Sequence, residues 1–411
     1  MPGPLHGIRI LDLTRILAGP WATQNLADLG AEVIKIEKPG SGDDTRQMGP
    51  PFIRDSVTGA DTDAAYFLAC NRNKESVALD IATPEGRELV RALAAKCDVL
   101  IENYKFGGLA KYGLDYASLH AQLPNLVYCS ITGFGQTGPY RKRAGYDYLN
   151  QGMGGLMSVT GERDDRPGGG PQRAGVALAD ILSGMYASVA ILAALRHRDA
   201  GGGGQQIDIG MLDVQVAVLA NQGMNYLTTG IAPVRTGNGH PNIAPYQRFP
   251  TSDGFVILAV GNDAQFVRMC DAMGRPDMAA DPRFCTIADR VAHYDALIAL
   301  MDGITRTRTL DQWVAAMEAV DVPCGPINSI DRVFADPQVV ARGLRMDLPH
   351  SGSGSVPSVA SPMRLSETPV EYRSGPPVLG EHTGAVLTRL LGLDQAALAS
   401  LAQKNVIGGT P

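Results

Sequence analysis

The chain has 411 residues, 45% hydrophobic and 19% charged, with a net charge of −6 and a pI near 5.7. That length exceeds what one hydrophobic core fills, so two domains are expected. The acidic balance argues against a partner bound by phosphate neutralisation, so no nucleic acid is expected. The six cysteines (Cys70, Cys97, Cys129, Cys270, Cys285, Cys324) form no CxxC pair and have no histidine at metal-ligand spacing. This pattern suits a reduced, cytoplasmic protein without a metal site. Residues 1–7 lack a basic stretch followed by an apolar one, and no run approaches the ~18 apolar residues of a membrane span, so neither a signal peptide nor a membrane is expected.

In chain order, residues 8–14 read as a short apolar strand. Pro20 stands where a first helical turn accepts it, residues 21–29 follow, and Gly30 stops the helix. Residues 31–37 form the next strand, and the alternation recurs: strand 76–81, helix 84–96 opened by Thr83-Pro84, strand 98–102, helix 116–122 and strand 126–132. This order predicts a parallel, doubly wound α/β sheet. Its ligand edge is the carboxyl end of the strands, at residues 14–19, 37–42, 102–106 and 132–138. Helices are predicted over 146–159 and 178–197, then a turn at Gly201–Gly204 and a strand over 206–209. A second regime starts near 225: strand 255–260, then helices 262–274, 288–305 and 310–320, the last opened by a Thr309/Gln312 capping box. Beyond 325 the enrichment in Pro, Ser and Gly reads as loops and short strands.

Asp180 is the charge that least fits its surroundings, flanked by Ala179 and Ile181 in an otherwise apolar stretch. Burying an ionised carboxylate without a partner costs several kcal/mol. It serves either as a helix cap or as a covalent nucleophile for a delivered carbonyl. Nicotinamide and flavin cofactors are not expected, because the loop after the first strand holds one glycine, Gly19, rather than a glycine fingerprint. Phosphate-loop, HExxH and GxSxG motifs are also missing from the sequence. What remains is a set of cationic and amide residues near predicted strand ends. Lys35, Lys38, Arg46, Arg72 and Lys74 precede Asn103, Lys105 and Lys111, and Arg141, Lys142 and Arg143 come later. Solvated surface is the plain alternative for each, but together they suit a phosphorylated cofactor.

The segments LDLTRILAGPWATQNLADLGAEVIKIEKPGSGDDTR, NRNKESVALD, IENYKFGGLAKYG, GFGQTGPYRKRAGYDYLNQGMGGLMSVTG, VALADILSGMYA, GNGHPNIAPYQRFPTSDGFVILAVGN, VPCGPINS and PPVLGEHT occur in that order along nearly the whole chain. Together they resemble the family III CoA-transferases, the CaiB/BaiF group. The resemblance implies that Asp180 carries the acyl group and then CoA, through an aspartyl anhydride and an aspartyl-CoA thioester, with no metal. It implies CoA contacts at Leu17, Ala18, Lys38, Leu79, Asn103, Tyr104, Lys111 and Tyr146. Arg143 stands in for a family lysine at the position of Ala144.

Members acting on oxalate carry glutamine at the position of Leu17 and four glycines where this chain has Gly237-Asn238-Gly239. Racemases of this fold need a histidine where Tyr146 stands. The segment around His240 resembles members that move CoA from succinyl-CoA to short dicarboxylic acids. Gly237, Gly239 and His240 are therefore candidate acid contacts, with a purely structural loop histidine as the other reading of His240. A racemase-like enzyme and a non-catalytic acyl-CoA binding protein are the alternative functions. The resemblance further implies an interlocked homodimer, with a large domain (1–224), a small α/β domain (225–325) and a C-terminal segment (326–411) returning to the large one.

Overall fold

The computed structural model describes residues 2–409. Its centre is a six-stranded sheet, with β1 (Arg9–Asp12), β2 (Glu32–Glu37), β5 (Lys74–Ala78), β6 (Val99–Glu102), β7 (Val127–Thr132) and β8 (Gln206–Gly210) in the order β5-β2-β1-β6-β7-β8. A short antiparallel hairpin, β3 (Phe52–Arg54) and β4 (Asp61–Ala64), interrupts that series. Every pairing within the six-stranded sheet is parallel. Chain order reverses between β1 and β6, so the loops leaving these two strands diverge and open a crevice at their carboxyl ends.

Both faces of this sheet are covered, so every residue of the central strands β6 and β7 is buried. On one face Ile10, Val33, Ile101, Val127 and Ile131 meet Ala22 and Leu26 of the helix Ala18–Asp28 and Ala187 and Ile191 of the helix Leu178–Asp199. On the other, Leu11, Ile34, Val77 and Leu100 meet Val90 and Leu93 of the helix Pro84–Ala94, which Thr83 caps by accepting the Gly86 N–H. Val386, Leu387 and Leu398 join that second face from the helices Thr383–Leu391 and Gln395–Gln403. Those two helices depart from the loops and short strands expected beyond residue 325, whereas the antiparallel pair β12 (Arg345–His350) and β13 (Gly354–Val359) agrees with them.

The chain divides into two compact units, residues 1–156, 174–223 and 337–411 in one and 157–173 with 224–336 in the other. Expected boundaries at 224 and 325 therefore miss the excursion of 157–173 into the second unit and extend the C-terminal segment eleven residues too early. The predicted helix over 146–159 is correspondingly split into Asp147–Met153 and Leu156–Val159, with Gly155 at φ 86° between them. In the second unit, β9 (Tyr246–Pro250), β10 (Phe255–Ala259) and β11 (Cys324–Pro326) form an antiparallel sheet. Helices carrying Phe266, Leu297, Trp313 and Met317 cover it. The Thr309/Gln312 capping box forms as expected.

The helix Leu178–Asp199 approaches Ala18–Asp28 closely enough that only glycine fits at position 184. A Cβ there would lie 2.5 Å from the Ala18 carbonyl oxygen and 3.2 Å from the Trp21 Cβ. Backbone on the far side cannot yield as a flexible side chain would. Gly184→Val is expected to destabilise the fold by about 1–3 kcal/mol, read as a lower urea midpoint with an unchanged slope.

Candidate active site

The loop leaving β1 is shaped by buried charge. Ile16 has φ 70°, a left-handed conformation that a β-branched residue adopts only under constraint. Its N–H is held by Asp43 Oδ1 at 3.1 Å, and Asp43 in turn pairs with the fully buried Lys35 at 2.9 Å. Burial pushes the Asp43 carboxyl up, but the Lys35 ammonium and the Thr45 hydrogen bonds outweigh it and hold Asp43 at about 2. Lys35 Nζ also donates to the Thr14 carbonyl at 2.8 Å. Asn103, at the end of β6, accepts the Arg15 N–H (3.0 Å) and donates to the Arg15 carbonyl (2.7 Å). The two loops of the crevice are thereby locked to each other.

Four of the cations expected to face a ligand face inward instead. Lys35 pairs with Asp43, Lys74 with Asp12 (3.3 Å), Arg46 with Glu37 and Asp63 (2.7 and 2.8 Å), and Arg72 with Asp28 (2.6 Å). All nine groups are nearly or fully buried, and each charge is met by an opposite one, as a low-dielectric interior demands. Their role is to fix strand ends and the loops that leave them.

The crevice itself is a cavity of about 430 Å³. Leu17 and Ala18 line it from the β1 loop, Asn103 and Tyr104 from the β6 loop, and Thr132 from the end of β7. Arg143 and Tyr146 form part of the wall, and Tyr146 is 68% exposed. Arg143 lies over the rings of Tyr140 (4.6 Å) and Phe134 (5.3 Å), and Arg141 over Phe106 (5.0 Å). Asp180 closes one side.

A second cavity of about 390 Å³ shares Arg15, Asp44 and Tyr104 with the first and is lined further by Lys38, Leu79 and Tyr112. Lys111 lines neither; its ammonium lies 4.6 Å from the Tyr112 ring centre. Gly237, Gly239 and His240 belong to the second unit. There His240 lines a cavity of about 400 Å³ with Arg163, Arg235 and Tyr294. His240 Nδ1 accepts the Asn242 N–H at 3.1 Å, and a Cβ on Gly239 would overlap the Tyr294 hydroxyl.

Asp180 occupies the third position of its helix, so it is not the cap; Ala177 is. Among the described residues its carboxylate has no hydrogen-bond or ion-pair partner. Burial, and next the neighbouring charge of Asp147, push it up to about 7. Tyr66 shares this environment, its phenol pushed up to about 12 by burial and then by the Asp180 charge. A half-buried, unpartnered carboxylate opening onto a cavity at the switch point of a parallel sheet is suited to attack an electrophilic carbonyl. Two features of this arrangement had no clear signal in the sequence. One is the Lys35–Asp43 brace behind the loop; the other is the position of Asp147.

The CoA-transferase family III model matches residues 5–383, and the chain belongs to that family. It is a CoA-transferase. A succinate–glutarate CoA-transferase from Agrobacterium fabrum is 54% identical over 394 residues, 96% of this chain and 97% of the relative. A succinyl-CoA:glutarate CoA-transferase from Mus musculus is 42% identical over 404 residues, 98% of this chain and 90% of the relative. The crystal structure of a CaiB/BaiF family protein from Brucella suis superposes with a TM-score of 0.83 at 50% identity, covering 95% of this chain and 100% of that one.

Two outcomes follow from the Asp180 environment. Only the ionised carboxylate attacks, so kcat/KM of the free enzyme should fall as pH drops through about 7; a limb near 4 would contradict this. Folding disfavours the charged form, a penalty absent below 3.8 and complete above about 7. Asp180→Asn should therefore raise Tm at alkaline pH and leave it unchanged in acid. Separately, Asp43→Ala strands the buried Lys35 ammonium and should destabilise the protein by about 3–5 kcal/mol, measurable by urea unfolding.

Proposed function

We propose that the protein transfers CoA from succinyl-CoA to a short dicarboxylic acid, with Asp180 as the carrier. The observation that carries this reading is the unpartnered Asp180 carboxylate facing the crevice. An Asp180 oxygen attacks the thioester carbon, the C–S bond breaks, and CoA thiolate leaves a mixed anhydride behind. Thiolate then attacks the Asp180 carbonyl carbon and expels the donor carboxylate, giving an aspartyl-CoA thioester. The acceptor carboxylate attacks that thioester, and the released thiolate takes the acceptor acyl group and restores Asp180. No net proton is consumed, so the site needs a nucleophile shielded from water rather than an acid–base pair.

CoA fits the two adjoining cavities as one extended ligand. Leu17 and Ala18 offer an apolar wall to the pantetheine arm, and Leu79 with Tyr104 offers one to the adenine end. Lys38 stands exposed at the second cavity for phosphate, with Lys111 nearby on Tyr112 and Arg143 at the first. Asn103 serves by holding the loop, since its amide is engaged by the Arg15 backbone rather than free for CoA. Gly237, Gly239 and His240 are the proposed contacts for the acceptor acid. The dicarboxylate preference is supported by the two transferases that match this chain over nearly their whole length, both of which act with glutarate.

An interlocked homodimer completes the proposal. In its support, the helix bearing Asp180 is long and apolar enough to cross a membrane by composition, yet leaves Met185, Tyr186 and Val189 at 40%, 45% and 61% exposure. A partner subunit would cover that face.

The test is a panel of mono- and dicarboxylic acids assayed with succinyl-CoA, read by formation of the new thioester. Glutarate and its near homologues are expected to accept CoA, oxalate is not, and Asp180→Ala should abolish transfer to all of them. Full activity in Asp180→Ala would sink the mechanism.

A further inference from the structure

The nucleophile helix begins without a cap from its own sequence, since Ala177 has no side-chain hydrogen bond to offer. Asp147, from the helix Asp147–Met153, supplies one: its Oδ1 accepts the Ala179 N–H at 2.9 Å, satisfying a donor of the first turn. Its Oδ2 accepts Gln151 Nε2 at 2.8 Å. Gln151 is fully buried, accepts the Ala174 N–H at 2.9 Å and donates to the Val176 carbonyl at 3.4 Å. The pair thus stitches residues 174–179 at three points immediately before Asp180.

Among the described residues, the same carboxylate is the charge that, after burial, pushes Asp180 up. Asp180 is the acidic residue in the first turn of its own helix. Tyr66 faces it from the helix Ala65–Leu68. Across the cavity stand Arg15 (paired with Asp44 at 3.1 Å), Tyr104, Lys105 and Tyr146, with Arg141 and Arg143 resting on aromatic rings. None of the four cations neutralises Asp180, whereas Asp147 repels it.

We propose that Asp147, braced by Gln151, is a positioning residue that aims Asp180 and, through its fixed negative charge, favours the covalently loaded enzyme over the free carboxylate. This rests on the nucleophile reading above. Loading with CoA converts the Asp180 carboxylate and succinyl-CoA into an aspartyl-CoA thioester and free succinate, so one negative charge leaves the site. Protonation and thioester formation both remove the charge that Asp147 opposes. A neighbour that favours one therefore favours the other.

The experiment equilibrates the full-length protein with succinyl-CoA and succinate at a fixed ratio and reads loaded against free enzyme by intact-protein mass spectrometry. It pairs this with the pH profile of kcat/KM. Asp147→Asn and Asp147→Ser remove the charge but keep an acceptor for the Ala179 N–H. Both are expected to lower the loaded-to-free ratio by up to about tenfold, the equivalent of one pKa unit, and to move the acid limb to lower pH. Asp147→Glu should restore both, and Gln151→Met should lower kcat without moving the limb. The inference is overturned if the folded neutral variants load as the wild type does with the limb in place. It is equally overturned if both fail to fold while Asp147→Glu behaves normally, which would make the role structural alone. If the wild type forms no adduct at all, the nucleophile reading fails first and takes this one with it.

Discussion

A carboxylate without a partner has to be held in place by everything except its own contacts. The Asp180 carboxylate makes no hydrogen bond among the described residues, so its position comes from the helix that carries it. That helix is fixed by the approach of Gly184 to the Ala18 carbonyl and by the apolar stripe from Ala179 to Leu195. Its start is fixed by Asp147. The opposite wall is fixed as firmly, by Lys35 and Asp43 behind Ile16 and by Asn103 against Arg15. Charge is thus spread unevenly by design: paired wherever it is buried for structure, unpaired where chemistry is required.

The parallel sheet explains why this place and no other. Loops after β1 and β6 turn to opposite faces, which leaves a crevice at the carboxyl edge. In many folds of this order a glycine-rich turn brings a helix N-terminus to a pyrophosphate. Here the loop from Arg15 to Pro20 is apolar and strained at Ile16, and Pro20 removes one of the helix's free N–H donors. The crevice is left suited to a long, partly apolar ligand arm with an electrophile at its end.

Much of this was legible in the sequence because the physical signals are local. Apolar runs of strand length separated by helical periods define the six strands, and Thr83-Pro84 and Thr309/Gln312 mark helix starts through capping chemistry. Asp180 stood out for the same reason, as a charge among Ala, Leu and Ile. What stayed hidden depends on pairings between distant residues. Nothing in the local pattern around Lys35, Arg46, Arg72 or Lys74 distinguishes a cation that meets Asp43, Glu37, Asp28 or Asp12 inside the fold from one that meets a phosphate outside it. The helices Thr383–Leu391 and Gln395–Gln403 were masked by the Pro- and Gly-rich stretch before them, although Val386, Leu387 and Leu398 complete one face of the core.

The central claim is that Asp180 itself becomes acylated and then bound to CoA. Brief incubation of the protein with succinyl-CoA, quenching with hydroxylamine, and peptide mapping tests it most directly. The account predicts a hydroxamate on the peptide containing Asp180, dependent on succinyl-CoA and lost in Asp180→Asn. An unmodified Asp180 peptide under conditions in which CoA is being transferred would contradict it.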